Sequence, residues 1–173
     1  WNEAFPADLL ELLTSEGEIY SVPANIHRGN VVWANPSVLS DAGITAAPES
    51  IDAWIEDLRT LQDNGMDTPL AVATDWTQVH LLETVLIADL GADSYIGLWD
   101  GTTDWASAEV TGALEDYQTL LSFANTNRAG LDWPDATQYV IDGQAAYTVM
   151  GDWVAATLES QDLVMDQDWT WFP

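Results

Sequence analysis

Three short runs constrain this chain more than any other feature. Residues 30–34 (NVVWA), 69–73 (PLAVA) and 145–150 (AAYTVM) are five or six residues long, too brief for buried helices and rich in strand-forming side chains. Segments of helical period separate them. Ile51, Trp54, Ile55, Leu58 and Leu61 fall on one helical face, with Ser50 positioned as N-cap and Gly65 beyond the end. Helices are also predicted over 6–14, from Pro36 to Gly43, over 75–91, over 107–124 with Val110, Leu114, Tyr117 and Leu121 as the core stripe, and over 134–142. Residues 19–22 read as extended, 92–107 as a loop turning at Asp100-Gly101, and the end of the chain as a short helix and a strand over 168–172. Short strands alternating with longer helices predict an α/β layer fold, helix-rich around a short mixed sheet, and argue against a helical bundle.

Charge narrows the possible partners. The 173 residues carry 29 acidic and 3 basic side chains (Arg28, Arg59 and Arg128) and no lysine, a formal net charge of −26. Such a polyanion repels phosphate backbones, so nucleic acid is excluded as a partner. The acids are dispersed through a chain that is 47% hydrophobic and holds ten tryptophans, which is the composition of a folded domain and not of an acidic tail. A lysine-free, carboxylate-coated surface matches proteins adapted to molar salt, where charges are screened to about 3 Å. Loss of structure at low ionic strength is therefore expected. There is no cysteine, hence no disulfide, thiol nucleophile or thiolate metal site. No run of about 18 apolar residues is present to span a membrane. The first residue is Trp1 and the last is Pro173, after an apolar-aromatic run; the expectation is a piece of a longer exported protein with a signal peptide upstream.

Few residues carry a pattern for chemistry. His27 and His80 lie far apart, and neither has a second histidine at ligand spacing. Asp132/Asp135 and Asp166/Asp168 are close pairs, but neither sits in a calcium-loop pattern. No metal and no cofactor are expected. Nucleophile elbow, phosphate loop and dinucleotide fingerprint are all missing. Paired carboxylates leave a secreted glycosidase as a lesser reading, one that needs an acid with a raised pKa across a cleft.

The tryptophans say more. Trp33 and Trp54 fit core positions, but Trp76, Trp133 and Trp153 stand at element junctions beside Asp75, Asp132 and Asp152. The run 145–150 ends on Gly151-Asp152-Trp153, and strand ends in α/β sheets are where ligands bind. Sugars offer flat C–H faces that pack on indoles and hydroxyls that bond carboxylates, amides, Arg and His. Composition alone leaves two readings equally open: a carbohydrate platform, or edge tryptophans of a Trp-rich core.

The order of segments resolves more. "YSVPANIHRGNVVWANPSVLSDAGITAAPESIDAWIEDLRTLQDNG", then "DWTQVHLLETVLIADLG", "YIGLWDGTTDWASAEVTGALEDY" and "GLDWPDATQYVIDGQAAYTVMGDW" together resemble an extracellular solute-binding protein of an ABC sugar importer. The likeness is to family 1 and covers nearly the whole chain; the last segment is most similar to the glucose/galactose-binding branch and to maltose-binding proteins. The resemblance implies a periplasmic-binding-protein-like (type II) lobe, with residues 1–20 ending a first lobe, 21–26 crossing a hinge, and 27–173 forming most of a second lobe whose C-terminal return segment is missing. It implies a binder without a catalytic step that closes on a small glucose- or galactose-like monosaccharide, and then docks on the permease subunits. An oligosaccharide or a polyol is the alternative ligand. A monomer at the cell surface is implied, with lipid anchoring of the longer parent allowed. Carried over by position, Trp153 and Trp133 would be ring platforms, and Trp76 with Asp75 and Thr77 would follow the strand that ends at 73. Asn25 would take the place of a sugar-bonding carboxylate, Asp152 would bond hydroxyls, and His27 and Arg28 would be hinge-cleft groups. For His27 the alternative is a structural contact in the hinge strand, and His80 reads as a packing residue.

Overall fold

The computed structural model describes residues 4–173. Trp1 and the rest of residues 1–3, the beginning of the expected first-lobe segment, lie outside the described residues. The chain starts with helix α1 (Ala7–Leu13) and a two-residue-stranded hairpin, β1 (Thr14–Ser15) and β2 (Glu18–Ile19). None of α1's residues is buried, and both strands of the hairpin are exposed. Residues 20–22, expected to be extended, follow as exposed chain outside any strand.

From residue 31 on, the chain builds a four-stranded sheet. Its strands are β3 (Val31–Ala34), β4 (Leu70–Ala71), β5 (Tyr147–Met150) and β6 (Thr170–Phe172), in the order β4-β5-β3-β6. β4 and β5 run parallel, while β3 is antiparallel to both β5 and β6. All four residues of β3 and all four of β5 are buried, because helices cover both faces and the usual polar alternation is lost. Val32, Ala34, Tyr147 and Val149 face one apolar cluster, and Val31, Trp33 and Met150 face another, as the two-residue period of a strand requires.

The first face is covered by α3 (Ile51–Asp63), α4 (Asp75–Asp100) and α5 (Ala108–Ser122). Helix α3 begins where the Ser50 hydroxyl accepts from Ala53 N at 3.1 Å, and buries Ile51, Trp54, Ile55, Leu58 and Leu61 as its spacing predicts. The opposite face takes α6 (Trp133–Ile141) and α7 (Val154–Ser160), while α2 (Pro36–Asp41) follows β3 directly. Asn35 stops β3 and caps α2, its side-chain oxygen accepting from Ser37 N and Val38 N, both at 3.1 Å. Trp33 and Trp54 are 4% and 2% exposed, so the core reading of both is correct.

Two expectations are corrected. Residues 92–100 are helical, not a loop: the first helical segment of α4 ends at Gly91 (φ 76°, ψ 165°), as expected, and a second runs from there to Asp100, where Gly101 ends it in the left-handed region. Glycines and small polar residues suggested a loop there, but Leu98 is buried and Tyr95 packs against the same cluster, and that contact holds the extra turns. In α5 the buried stripe is Val110, Ala113 and Leu120, with Tyr117 and Leu121 partly buried, whereas Leu114 is 39% exposed.

Candidate functional site

The parallel pairing of β4 with β5, and the antiparallel pairing of β5 with β3, bring three chain segments to one end of the strands: residues 72–77, 151–153 and 25–30. Val31 stands opposite Met150, and the ladder is extended one step where Asp152 N donates to Arg28 O at 2.9 Å. A Cβ on Gly151 would lie 2.1 Å from the Trp153 ring. Only glycine lets the indole fold back over the strand end, which explains the Gly-Asp-Trp sequence.

The Asp152 carboxylate is held by the segment before β3. Its Oδ1 lies 2.6 Å from His27 Nδ1, and its Oδ2 accepts from Arg28 N at 3.2 Å. The bond to His27, then the Arg28 N–H, hold this carboxyl below the ordinary aspartate value. An ionised carboxylate can only accept, so Nδ1 of His27 carries the proton and Nε2 accepts from Asn25 Nδ2 at 2.8 Å. The Arg28 side chain turns to Asn30, with Nε donating to Oδ1 at 3.3 Å.

Aromatic rings extend this cluster toward α4. His27 and Trp153 meet edge to face, centroids 5.4 Å apart at 86°. Trp153 meets His80 at 6.0 Å and 59°, and His80 meets Trp76 at 5.6 Å and 83°. Trp76 remains 42% exposed and Trp153 half-buried, so both retain surface for a ligand. Asp75 is exposed at the first position of α4, where a carboxylate is favoured by the helix dipole. Trp133, the first residue of α6, is half-buried against Val31, Met150 and Val154, a cluster on which Trp153 also rests.

Thr77 requires a correction. It is 3% exposed, and its hydroxyl donates to Thr74 O at 2.7 Å and accepts from Ala73 N at 3.2 Å. These bonds satisfy the turn from β4 into α4, so Thr77 supports the site from beneath and does not face a ligand. His80, read as a packing residue, stands between the indoles of Trp76 and Trp153. The signal was its spacing from Trp76: residues i and i+4 share a helix face.

The acidic pairs have structural roles. Asp132 and Asp135 form the capping box of α6, while Asp166 Oδ1 accepts from Thr170 and Asp168 Oδ2 from Val164 N. Among the described residues no three His, Asp or Glu side chains gather as a metal-binding group, and no helix is long and apolar enough to cross a membrane.

A short mixed sheet covered by helices, with half-exposed indoles beside bonded polar groups at the strand ends, defines a periplasmic-binding-protein-like lobe of type II. Solved structures share the fold: a chitin oligosaccharide binding protein (TM-score 0.80, 25% identity, covering 94% of this chain and 42% of that one) and the bacterial solute receptor AcbH, described as having an exclusive substrate preference for β-D-galactopyranose (TM-score 0.79, 26% identity, 97% and 43%). The chain belongs to the bacterial extracellular solute-binding protein family, whose model matches residues 1–173. Among curated relatives, it is 30% identical over 178 residues to the xylose/arabinose-binding protein XacG of Haloferax volcanii, spanning 100% of this chain and 38% of that protein. It is 29% identical over 152 residues to an uncharacterized ABC transporter extracellular-binding protein of Pyrococcus horikoshii, covering 86% of this chain and 34% of the relative. The chain thus spans little more than a third of the length of these relatives.

Proposed function

We propose that the chain is the ligand-binding lobe of a sugar-binding protein that serves an ABC importer, and that the strand-end cluster contacts the sugar. The observation that carries this reading is the continuity of the cluster: Asn25, His27 and Asp152 are joined by hydrogen bonds, and ring contacts run in series from His27 to Trp153, from Trp153 to His80 and from His80 to Trp76. Half-exposed indole faces beside bonded carboxylate, imidazole and amide groups suit a ring that is apolar on its faces and hydroxylated at its rim. Trp153, Trp76 and Trp133 supply the faces. Asp152, Asn25, His27, Arg28 and Asp75 supply the polar groups. The ligand class is a small monosaccharide of glucose or galactose type, supported by the galactopyranose-preferring receptor of the same fold and by a 26% identical relative named as a glucose-binding protein. The likeness to a chitin oligosaccharide binding protein favours an oligosaccharide as the second reading.

Asp152 does not suit the role of a glycosidase acid. A glycosidase acid requires a raised pKa, whereas Asp152 is shifted down. Residues 1–20 would finish a first lobe, 21–26 would cross a hinge, and 27–173 would form the second lobe, a division supported by the exposure of α1 and of the β1–β2 hairpin. Closure of two lobes would sequester the sugar, and the closed form would dock on the permease at the outer face of the membrane. Calorimetric titration of the full chain with D-glucose, D-galactose, D-xylose and a chitin oligosaccharide, with a parallel assay for sugar products, tests this. Saturable binding with the sugar recovered intact supports it; turnover, or binding of none of these sugars, contradicts it.

A further inference from the structure

His80 is held unlike an ordinary packing residue. It stands one turn after Trp76 on α4, and its ring touches two indoles, the exposed Trp76 on one side and the half-buried Trp153 on the other. The backbone at Gly29 presses on one edge: a Cβ there would lie 3.0 Å from His80 Cε1 and 3.1 Å from Nδ1. The side chain keeps 20% of its surface exposed, yet Nδ1 is sealed without a hydrogen-bond partner. A buried polar atom left unpaired needs a reason.

Glu83 supplies one. Its Oε2 lies 3.6 Å from Nδ1, too far for a hydrogen bond, and its Oε1 accepts from Tyr95 OH at 2.8 Å, which anchors the carboxylate. A shift of the ring by well under 1 Å would bring Nδ1 within bonding range. The neighbouring histidine already has this arrangement, because His27 gives its Nδ1 proton to Asp152 and its Nε2 becomes an acceptor. A carboxylate at Nδ1 fixes the tautomer and leaves Nε2 as the basic nitrogen.

We infer that His80 is a further ligand-binding residue of this site: braced between Trp76 and Trp153, with Nδ1 directed to Glu83, it presents Nε2 as the acceptor for one sugar hydroxyl. This rests on the sugar-binding reading above. A sugar hydroxyl donating to Nε2 requires the proton on Nδ1, the tautomer that directs a donor at Glu83 across the present 3.6 Å. The consequence is specificity, since an acceptor buried against a hydroxyl rejects an analogue that lacks it.

The test is titration of the full chain with D-glucose, D-galactose and D-xylose, then with monodeoxy analogues of the tightest-binding sugar, in the wild type, H80F and H80Q. Phenylalanine keeps the ring and loses the acceptor, and glutamine restores an acceptor. H80F is expected to weaken the parent sugar about 10- to 100-fold, H80Q to recover part of that loss, and one monodeoxy analogue to bind wild type and H80F equally. Equal affinity of wild type and folded H80F for the parent sugar overturns the inference, as does a loss of the same size across every deoxy analogue, which marks packing alone. If H80F fails to fold, the ¹⁵N spectrum of wild-type His80 decides: protonated Nδ1 with sugar bound supports the inference, and protonated Nε2 overturns it. A wild type that binds none of the three sugars overturns the sugar-site reading itself, a failure distinct from that of His80.

Discussion

Asp152 and Asp89 are the same residue in opposite circumstances. At the strand end, Asp152 accepts from His27 and from Arg28 N, and its carboxyl is held below the ordinary value. On the outer side of α4, Asp89 faces Asp116 of α5 and Asp52 of α3. Desolvation first, then those two charges, push its carboxyl up to about 6. Asp116 is raised too, by desolvation and then by Asp52 and Glu115. One region organises its carboxylate with donors, and the other crowds carboxylates together. With 29 acids against 3 bases, a carboxylate can seldom find a cationic partner, and Asp152 takes its donors from His27 and the Arg28 backbone instead.

If that contrast holds, salt governs the outer face and local bonds govern the strand end. The largest expected effect is global: transfer from about 3 M to about 0.05 M salt lengthens the screening distance severalfold, and the cooperative circular dichroism signal should be lost. A spectrum unchanged across that range would break the comparison on its outer side. Next in size, Leu58→Ala in the fully buried stripe of α3 should cost about 2–5 kcal/mol by denaturant unfolding in high salt. A smaller effect is expected from Asp152→Asn, which removes the charged acceptor of His27. Affinity for the sugar should fall roughly tenfold, while the melting temperature in high salt changes little, because the Asp152 side chain is 44% exposed.

The smallest effects concern pH, and they have opposite signs. Asp152's folded pKa lies below its unfolded one, so its stabilisation is present above the ordinary carboxylate range and is lost as pH falls below about 4. Asp89's folded pKa of about 6 lies above the unfolded 3.8. Its contribution is therefore complete below the unfolded value and is lost as pH rises through about 6. Asp89→Asn, neutral at every pH, should be slightly more stable than wild type at pH 7 and equal to it near pH 4. A variant that destabilises at pH 7 would show that Asp89 is bonded after all.

Much of this was legible from the residues. The apolar runs at 30–34, 69–73 and 145–150 became β3, β4 and β5, and the one-sided spacing of α3 placed its core residues correctly. The helix over 92–100 was hidden because Asp93, Ser94 and Gly97 are weak helix formers; the packing of Tyr95 and Leu98 on the core overrides their local preference. At the site, Asp152 and Trp153 could be suspected from their place at a strand end. Their bonding to His27 could not, since that contact spans 125 positions and depends on the register of β3 against β5. Thr77 was misjudged for a similar reason, because sequence does not show which way a hydroxyl turns at the start of a helix.

The most direct measurement compares two tryptophans of similar chemistry in different regions. Trp153 belongs to the strand-end cluster, while Trp99, 63% exposed, stacks only with Tyr95 and Trp105 among the described ring pairs. Titration of the full chain with D-glucose, D-galactose and D-xylose should show saturable binding that is unchanged in Trp99→Ala and reduced at least 100-fold in a folded Trp153→Ala. Equal affinity in wild type and Trp153→Ala would contradict the assignment of the site to the strand ends.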